Sequence, residues 1–172
     1  MDYRIRRARP DEHALLPAIE RSAAKLFEAA GLPDLTAGEP SDIEFIDAVA
    51  RGGAVFVAAL ATNDVPVGFE LVAFLDRAAH VYELSVAEGH GRRGLGGQLT
   101  DEACRLARHE GFNAVTLSTF LDVPWNAPFY ERLGFRHIDR RDWTPGFFLV
   151  RDHEVEAGLP VERRGFMRKD LA

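Results

Sequence analysis

The chain has 172 residues, of which 47% are hydrophobic and 28% charged, the make-up of a single soluble globular domain spanning residues 1–172. Its 21 Lys and Arg against 27 Asp and Glu leave a net charge of −6, which argues against nucleic acid, whose partners need a basic face. One cysteine, Cys104, excludes an internal disulfide framework and a Cys-rich zinc site. No apolar run approaches the roughly 20 residues of a membrane span, and the basic N-terminus lacks the apolar stretch of a signal peptide. The expectation is therefore a cytoplasmic protein without membrane contact.

Tyr3 to Ala8 sets Tyr3 and Ile5 on one side and charges on the other, the pattern of a half-exposed strand. Pro10 and Asp11 start a helical stretch in which Leu16, Ile19, Ala23, Leu26 and Phe27 share one face. Pro17 belongs in its first turn, and Gly31-Leu32-Pro33 ends it. Residues 31–40 read as a loop. Ser41 and Glu44 then have capping-box spacing, opening a helix with the stripe Phe45, Ile46 and Val49, stopped by Gly52-Gly53.

Ala54–Ala61, Val67–Leu75 and His80–Val86 are apolar, β-branched runs separated by Asn63-Asp64 and Asp76-Arg77, which predicts an antiparallel meander. A glycine-rich stretch from Gly89 to Gly97 follows. Leu95, Leu99, Ala103, Leu106 and Ala107 then line a helix closed by Gly111. Ala114–Thr119 is another strand, so strand, loop, helix and strand form a βαβ unit with parallel strands. Asn126–Leu133 reads as a short helix ended by Gly134, Phe135–Asp139 as a strand and Gly165–Lys169 as the last strand. Residues 143–160 show no assignable pattern. The fold class is α/β with a central mixed, mostly antiparallel sheet flanked by helices.

A glycine loop between strand and helix offers unpaired N–H groups at the positive end of a helix dipole, a site for an anion. A dinucleotide fingerprint fails, because counting from Gly94 its last position is Leu99. A P-loop fails because Leu95, not Lys, follows Gly94. What remains suits a diphosphate whose partner is not a dinucleotide, and equally a plain flexible turn.

Val86-Ala-Glu-Gly-His-Gly-Arg-Arg-Gly-Leu-Gly-Gly-Gln-Leu99 resembles motif A of the GNAT N-acetyltransferase superfamily, and Asn126-Ala-Pro-Phe-Tyr-Glu-Arg-Leu-Gly-Phe135 resembles its motif B. The two occur in the family's order with a strand between them, and the surrounding elements fit along nearly the whole chain. The resemblance implies acetyl-CoA as cosubstrate and transfer of the acetyl group to a primary amine; no Cys/His pair suggests an acyl-enzyme, so direct transfer is the simpler expectation, and no spacing among the six histidines makes a metal motif. It implies that the backbone of Gly91, Arg92, Arg93, Gly94, Leu95, Gly96 and Gly97 holds the pyrophosphate, with the two arginines adding charge. Leu84, Ser85 and Val86 would run beside the pantetheine arm, with the amide near Leu84 polarising the thioester carbonyl. Two positions depart from the family pattern. Gly91 stands where Gln or Arg is usual, and Val123 stands where motif B often has Asn. Asn126 can touch CoA, but its position suits capping of the short helix.

Amine acetylation poses two proton problems: the amine must lose one, and the departing thiolate must gain one or be stabilised. Tyr130 matches the family's general acid, and would otherwise be a core tyrosine beside Phe129 and Phe135. Glu83, on the strand before the loop, matches a base or a water-holding carboxylate. It could instead be satisfied by neighbouring strands. His80 and Tyr82 are weaker relay candidates. His13, His109, His137 and His153 read as surface residues, Cys104 as inert packing and Trp125 as core or pocket wall. The acceptor, a small molecule or a peptide amine, would be covered by the 31–40 loop and the 143–160 segment. There Asp34, Glu39 and Glu44 would attract a cation, and Trp143, Phe147 and Phe148 would form an apolar lid. A homodimer is compatible with the pattern. So are a non-catalytic acyl-CoA-binding module and a ligand-free interaction domain.

Overall fold

The computed structural model describes residues 1–32 and 38–172. Among these residues seven strands form one mixed sheet: β1 (Tyr3–Arg7), β2 (Ala54–Leu60), β3 (Pro66–Leu75), β4 (Ala78–Val86), β5 (Ala114–Phe120), β6 (Arg136–His137) and β7 (Arg164–Asp170). Their order across the sheet is β1-β2-β3-β4-β5-β7-β6. Backbone contacts divide the chain into two compact units. One comprises Met1–Ala73 and Tyr82–Ala103, the other Phe74–Val81 and Cys104–Ala172.

In the first unit β1 pairs antiparallel with β2, and β2 with β3. Helices α1 (Leu16–Ala24) and α2 (Ile43–Gly52) bury Leu16, Ile19, Ile46 and Val49 against Val55, Val57, Phe69 and Leu71 of β2 and β3. Burying a side chain of this size contributes about 1.5–3 kcal/mol. Short 3₁₀ turns, Pro10–Leu15 and Lys25–Ala30, extend α1 at both ends, and Gly31 at φ +71° terminates it. The expected capping box on Ser41 does not form. Asp42 is the cap, its Oδ1 accepting from Phe45 N at 2.7 Å, while the Ser41 amide donates to Glu20 Oε2 at 3.0 Å. Arg6 grips the buried Glu12 with two bonds of 2.7 and 2.8 Å, holding that carboxyl below its usual range.

Glu70 is the exception in this core. It lies mid-β3, fully buried, and among the described residues neither carboxylate oxygen has a hydrogen-bond partner. Burial pushes its pKa well up, and Glu102 and Asp101 on helix α3 (Leu95–His109) push the same way.

In the second unit β4 and β5 are parallel, from Ala79↔Val115 to Val81↔Leu117. β5 pairs antiparallel with β7 along its whole length, and β7 with the two-residue β6. The turn before β4 places Asp76 and Arg77 at φ +47° and +66°, the left-handed pair that a tight hairpin loop needs. The expected strand Phe135–Asp139 is thus shorter than its apolar pattern. The unassigned segment contains helix α5 (Pro145–Glu156), preceded in the chain by the short α4 (Ala127–Arg132). Phe147 stacks on Phe166 at 4.5 Å and Trp143 meets the same ring edge-on at 4.8 Å. These two residues therefore belong to the core of this unit, and the expected lid reduces to Phe148, which is exposed. On α5 the buried Glu154 accepts from Ser118 Oγ and from Arg164 Nε, tying the helix to β5 and β7.

Candidate active site

The residues expected at the site fall into two groups. Glu83, Leu84, Ser85, Val86 and the loop Gly91–Gly97 lie in the first unit, Asn126 and Tyr130 in the second.

The end of β4 is held close to β3. A Cβ on Gly68 would stand 3.1 Å from both Ser85 O and Val86 Cγ2, so glycine permits this approach. Leu84 and Val86 are half-buried and Ser85 is buried. Ser85 Oγ donates to Glu83 Oε1 at 2.7 Å, fixing that carboxylate. Tyr82 packs edge-on against Phe45 at 5.9 Å and joins the core of the unit.

Beyond β4 the chain makes a 3₁₀ turn, Glu88–His90, secured from two sides. Tyr3 Oη and His90 Nδ1 lie 3.0 Å apart, and Glu88 N donates to Ser22 Oγ at 3.1 Å. Gly91, Arg92, Arg93 and Gly94 follow, all exposed. Arg92 at φ +57° and Gly94 at φ +77° are both left-handed, and they turn the chain into α3. Gly94 O accepts from Gln98 N at 3.1 Å, which starts the helix. By helical geometry the amides of Leu95, Gly96 and Gly97 then have no partner one turn back. Leu95 is buried and anchors the turn, while Gly96 and Gly97 add no side chain over those amides. This is a cradle of backbone donors at a positive helix end, flanked by two exposed guanidinium groups, and it fits a diphosphate.

In the second unit Asn126 precedes α4, but its side chain does not cap the helix. Its Nδ2 donates instead to Thr119 Oγ1 at 2.9 Å, pinning the helix start to β5. The capping expectation is corrected on this point: a strand hydroxyl holds the donor end of the amide. Tyr130 is buried with its ring edge-on to Phe129 at 5.0 Å and Phe135 at 5.5 Å. Val123 is fully buried and apolar, so it offers no hydrogen-bonding side chain at that position of motif B.

Several other expectations are sorted by burial. His80 is fully enclosed with Nδ1 2.8 Å from Thr116 Oγ1, and burial pushes its imidazole down to about 3. A ring held neutral in this way does not carry protons at neutral pH. His13 is not at the surface: it is buried and its Nδ1 lies 2.6 Å from Asp47 Oδ1. Cys104 is buried, as packing requires. Glu39 and Glu44 are exposed, and Asp34 lies outside the described residues.

One carboxylate escaped sequence reasoning. Glu20 on α1 is half-buried, and its pKa is pushed up to about 7, first by burial and then by the charge of Glu83. No local pattern marks it, because its partner lies on a strand far along the chain. The signal available was only an acid beside the apolar Ile19 on an otherwise apolar helix face.

The model of the acetyltransferase (GNAT) family matches residues 19–135. The chain belongs to that family. Solved structures share the fold at low identity. A GNAT-family acetyltransferase from Staphylococcus aureus Mu50 is 20% identical with a TM-score of 0.73, covering 99% of this chain and 100% of the other. The ribosomal-protein-S18-alanine N-acetyltransferase of Escherichia coli is 15% identical, TM-score 0.69, with 99% and 95% covered. The PaiA N-acetyltransferase of Thermoplasma acidophilum, solved in complex with coenzyme A, is 15% identical, TM-score 0.67, with 99% of each chain covered.

Proposed function

We propose that residues 1–172 form a single acetyl-CoA-dependent N-acetyltransferase domain that moves the acetyl group directly to a primary amine. The observation that supports this reading is the turn before α3, where left-handed Arg92 and Gly94 lead into a helix whose first amides, those of Leu95, Gly96 and Gly97, stand at its open end. Acetyl-CoA supplies an acetyl group activated as a thioester. Gly91 to Gly97 bind the pyrophosphate through backbone N–H groups, and Arg92 and Arg93 add charge that salt screens. Leu84, Ser85 and Val86 align the pantetheine arm along β4, and the amide near Leu84 donates to the carbonyl oxygen as negative charge builds there. Glu83, oriented by Ser85, receives the amine's proton. Tyr130 gives its phenolic proton to the departing sulfur, and Asn126 keeps the start of α4 against β5. Structural neighbours named as a ribosomal-protein-S18-alanine N-acetyltransferase and as an N-acetyltransferase solved with coenzyme A support an amine acceptor, small or peptidic.

The test is a panel of primary amines with release of free CoA as the readout, run beside thermal melting with CoA, ATP and NAD. At about 100 times its dissociation constant a ligand adds roughly 2.7 kcal/mol, a shift of about 5–10 °C for a domain this size. CoA should stabilise far more than ATP or NAD, and at least one amine should release CoA. Equal shifts with all three nucleotides would remove the assignment.

A further inference from the structure

Resting on the acetyltransferase reading, we propose that Tyr3 on β1 and Ser22 on α1 are positioning residues for coenzyme A. They tie down the turn Glu88–His90, which leads into the phosphate cradle, and so set the cofactor's affinity by acting through that turn.

The ties are made by side chains far away in the sequence. Tyr3 Oη and His90 Nδ1, 87 residues apart in the chain, lie 3.0 Å from each other. Their rings meet edge-on, with centroids at 5.8 Å and an interplanar angle of 89°. Both residues are half-buried, so water competes less for the bond. From the other side the Glu88 amide donates to Ser22 Oγ at 3.1 Å, across 66 residues of chain. Lys25 Nζ also reaches Glu88 Oε2 at 3.9 Å, but both side chains are exposed and such a pair contributes little.

The cradle depends on what holds its two ends. At the far end Leu95 is buried, and Gly94 O accepts from Gln98 N at 3.1 Å. At the near end Ala87 N donates to Val67 O at 2.8 Å, which carries the β3–β4 contact up to the turn. Between these points Glu88, Gly89 and Gly91 to Gly94 are exposed, and His90 is half-buried with its side chain engaged by Tyr3. A glycine-rich segment loses much freedom when a ligand orders it. Ties made before the ligand arrives remove part of that loss. Apparent affinity then follows the fraction of molecules in which the turn is closed. Tyr3 and Ser22 both lie outside the glycine-rich motif whose backbone they hold in place.

Hydrogen exchange and CoA binding test the ties together. The His90 amide donates to Ala87 O at 2.8 Å and reports opening of the turn. In the ligand-free protein its exchange should quicken about two- to tenfold in Tyr3→Phe and likewise in Ser22→Ala, the range that one net hydrogen bond spans. The double variant should show the product of the two. Tyr3→Phe keeps the ring and its edge contact, so amides of β2 and β3 should exchange as in wild type. Ser22→Thr keeps a hydroxyl and should stay near wild type. Calorimetric titration with CoA should give a Kd raised about threefold or more in the double variant. With whichever primary amine of the panel releases CoA, the acetyl-CoA KM should rise by the same factor while kcat holds. A merely structural role would lower Tm and leave the Kd of the folded protein unmoved. His90 exchange unchanged by either substitution overturns the tie, and a double variant that binds CoA like a CoA-binding wild type overturns this inference alone. A wild-type protein that binds no CoA overturns the acetyltransferase reading and this role with it.

Discussion

His80 Nδ1 and Thr116 Oγ1 meet at 2.8 Å inside the core, on residues directly paired between the parallel strands β4 and β5. The imidazole is held neutral, its value pushed down to about 3 by burial against a weaker opposing pull from Asp76. The unfolded chain takes up a proton below about 6.5, whereas the folded chain refuses it until about 3, so this contribution to stability is lost as pH falls through that window. Between pH 7 and 5 the loss amounts to about 2 kcal/mol. Denaturant unfolding of wild type and His80→Gln at both pH values checks it: the gap between them should shrink by that amount at pH 5. A gap independent of pH would mean that the folded ring takes up its proton as readily as the unfolded one.

Glu70 predicts the opposite slope. Its folded value is raised well above the ordinary carboxyl, so the unfolded chain releases the proton first and stability falls as pH rises from the unfolded value toward the folded one. Glu70→Gln should therefore be more stable than wild type at pH 7 and closer to it at pH 4. Glu70→Met also removes two buried oxygens without partners and should gain about 1–3 kcal/mol at neutral pH. Melting curves at the two pH values decide, and a Glu70→Gln protein less stable at pH 7 would show that the carboxyl has a favourable partner.

The loop before α3 separates shape from charge. Gly96→Val should weaken CoA at least about tenfold by covering the donor amides, with the fold intact by circular dichroism. Arg92 holds a left-handed backbone at φ +57°, so Arg92→Gly should be about 1 kcal/mol more stable than Arg92→Ala. Both arginine variants should lose CoA affinity less at high salt than at low salt. If Gly96→Val binds CoA like wild type, the loop is a turn and nothing more.

Tyr130→Phe retains a ring packed between Phe129 and Phe135 and removes one hydroxyl. If that hydroxyl protonates the leaving sulfur, turnover should fall by about 10²–10⁴-fold with CoA affinity and Tm nearly unchanged. A structural hydroxyl would instead cost about 1 kcal/mol of stability and leave turnover largely intact. A fall of only a few-fold would retire Tyr130 as an essential acid.

The strands and α3 were legible because alternation, helical spacing and glycine punctuation agreed locally. Helix α5 was not, because its apolar residues surround it: Phe147 is buried, while Phe148, Leu149 and Val155 are exposed. The start of α2 was misplaced by one residue because Glu20 takes the Ser41 amide, a tertiary bond that local spacing does not encode. At the site, the cradle followed from its glycines and Tyr130 from its motif. Asn126 was misjudged because Thr119, on another element, supplies its partner. Glu20 and Glu70 were invisible for a related reason: what distinguishes them is their surroundings in three dimensions.

The rims of the sheet bear on how the protein behaves when crowded. One rim, β1, packs Arg4, Arg6 and Arg7 into five residues, and the other, β6, is only two exposed residues long. Both discourage a neighbouring chain from adding a strand. Directly behind β1 lies β2, Ala54–Leu60, a run without a single charge. Trimming away Tyr3–Arg7 would unveil that run along a bare edge, where the same run of another chain could pair with it and start a fibril.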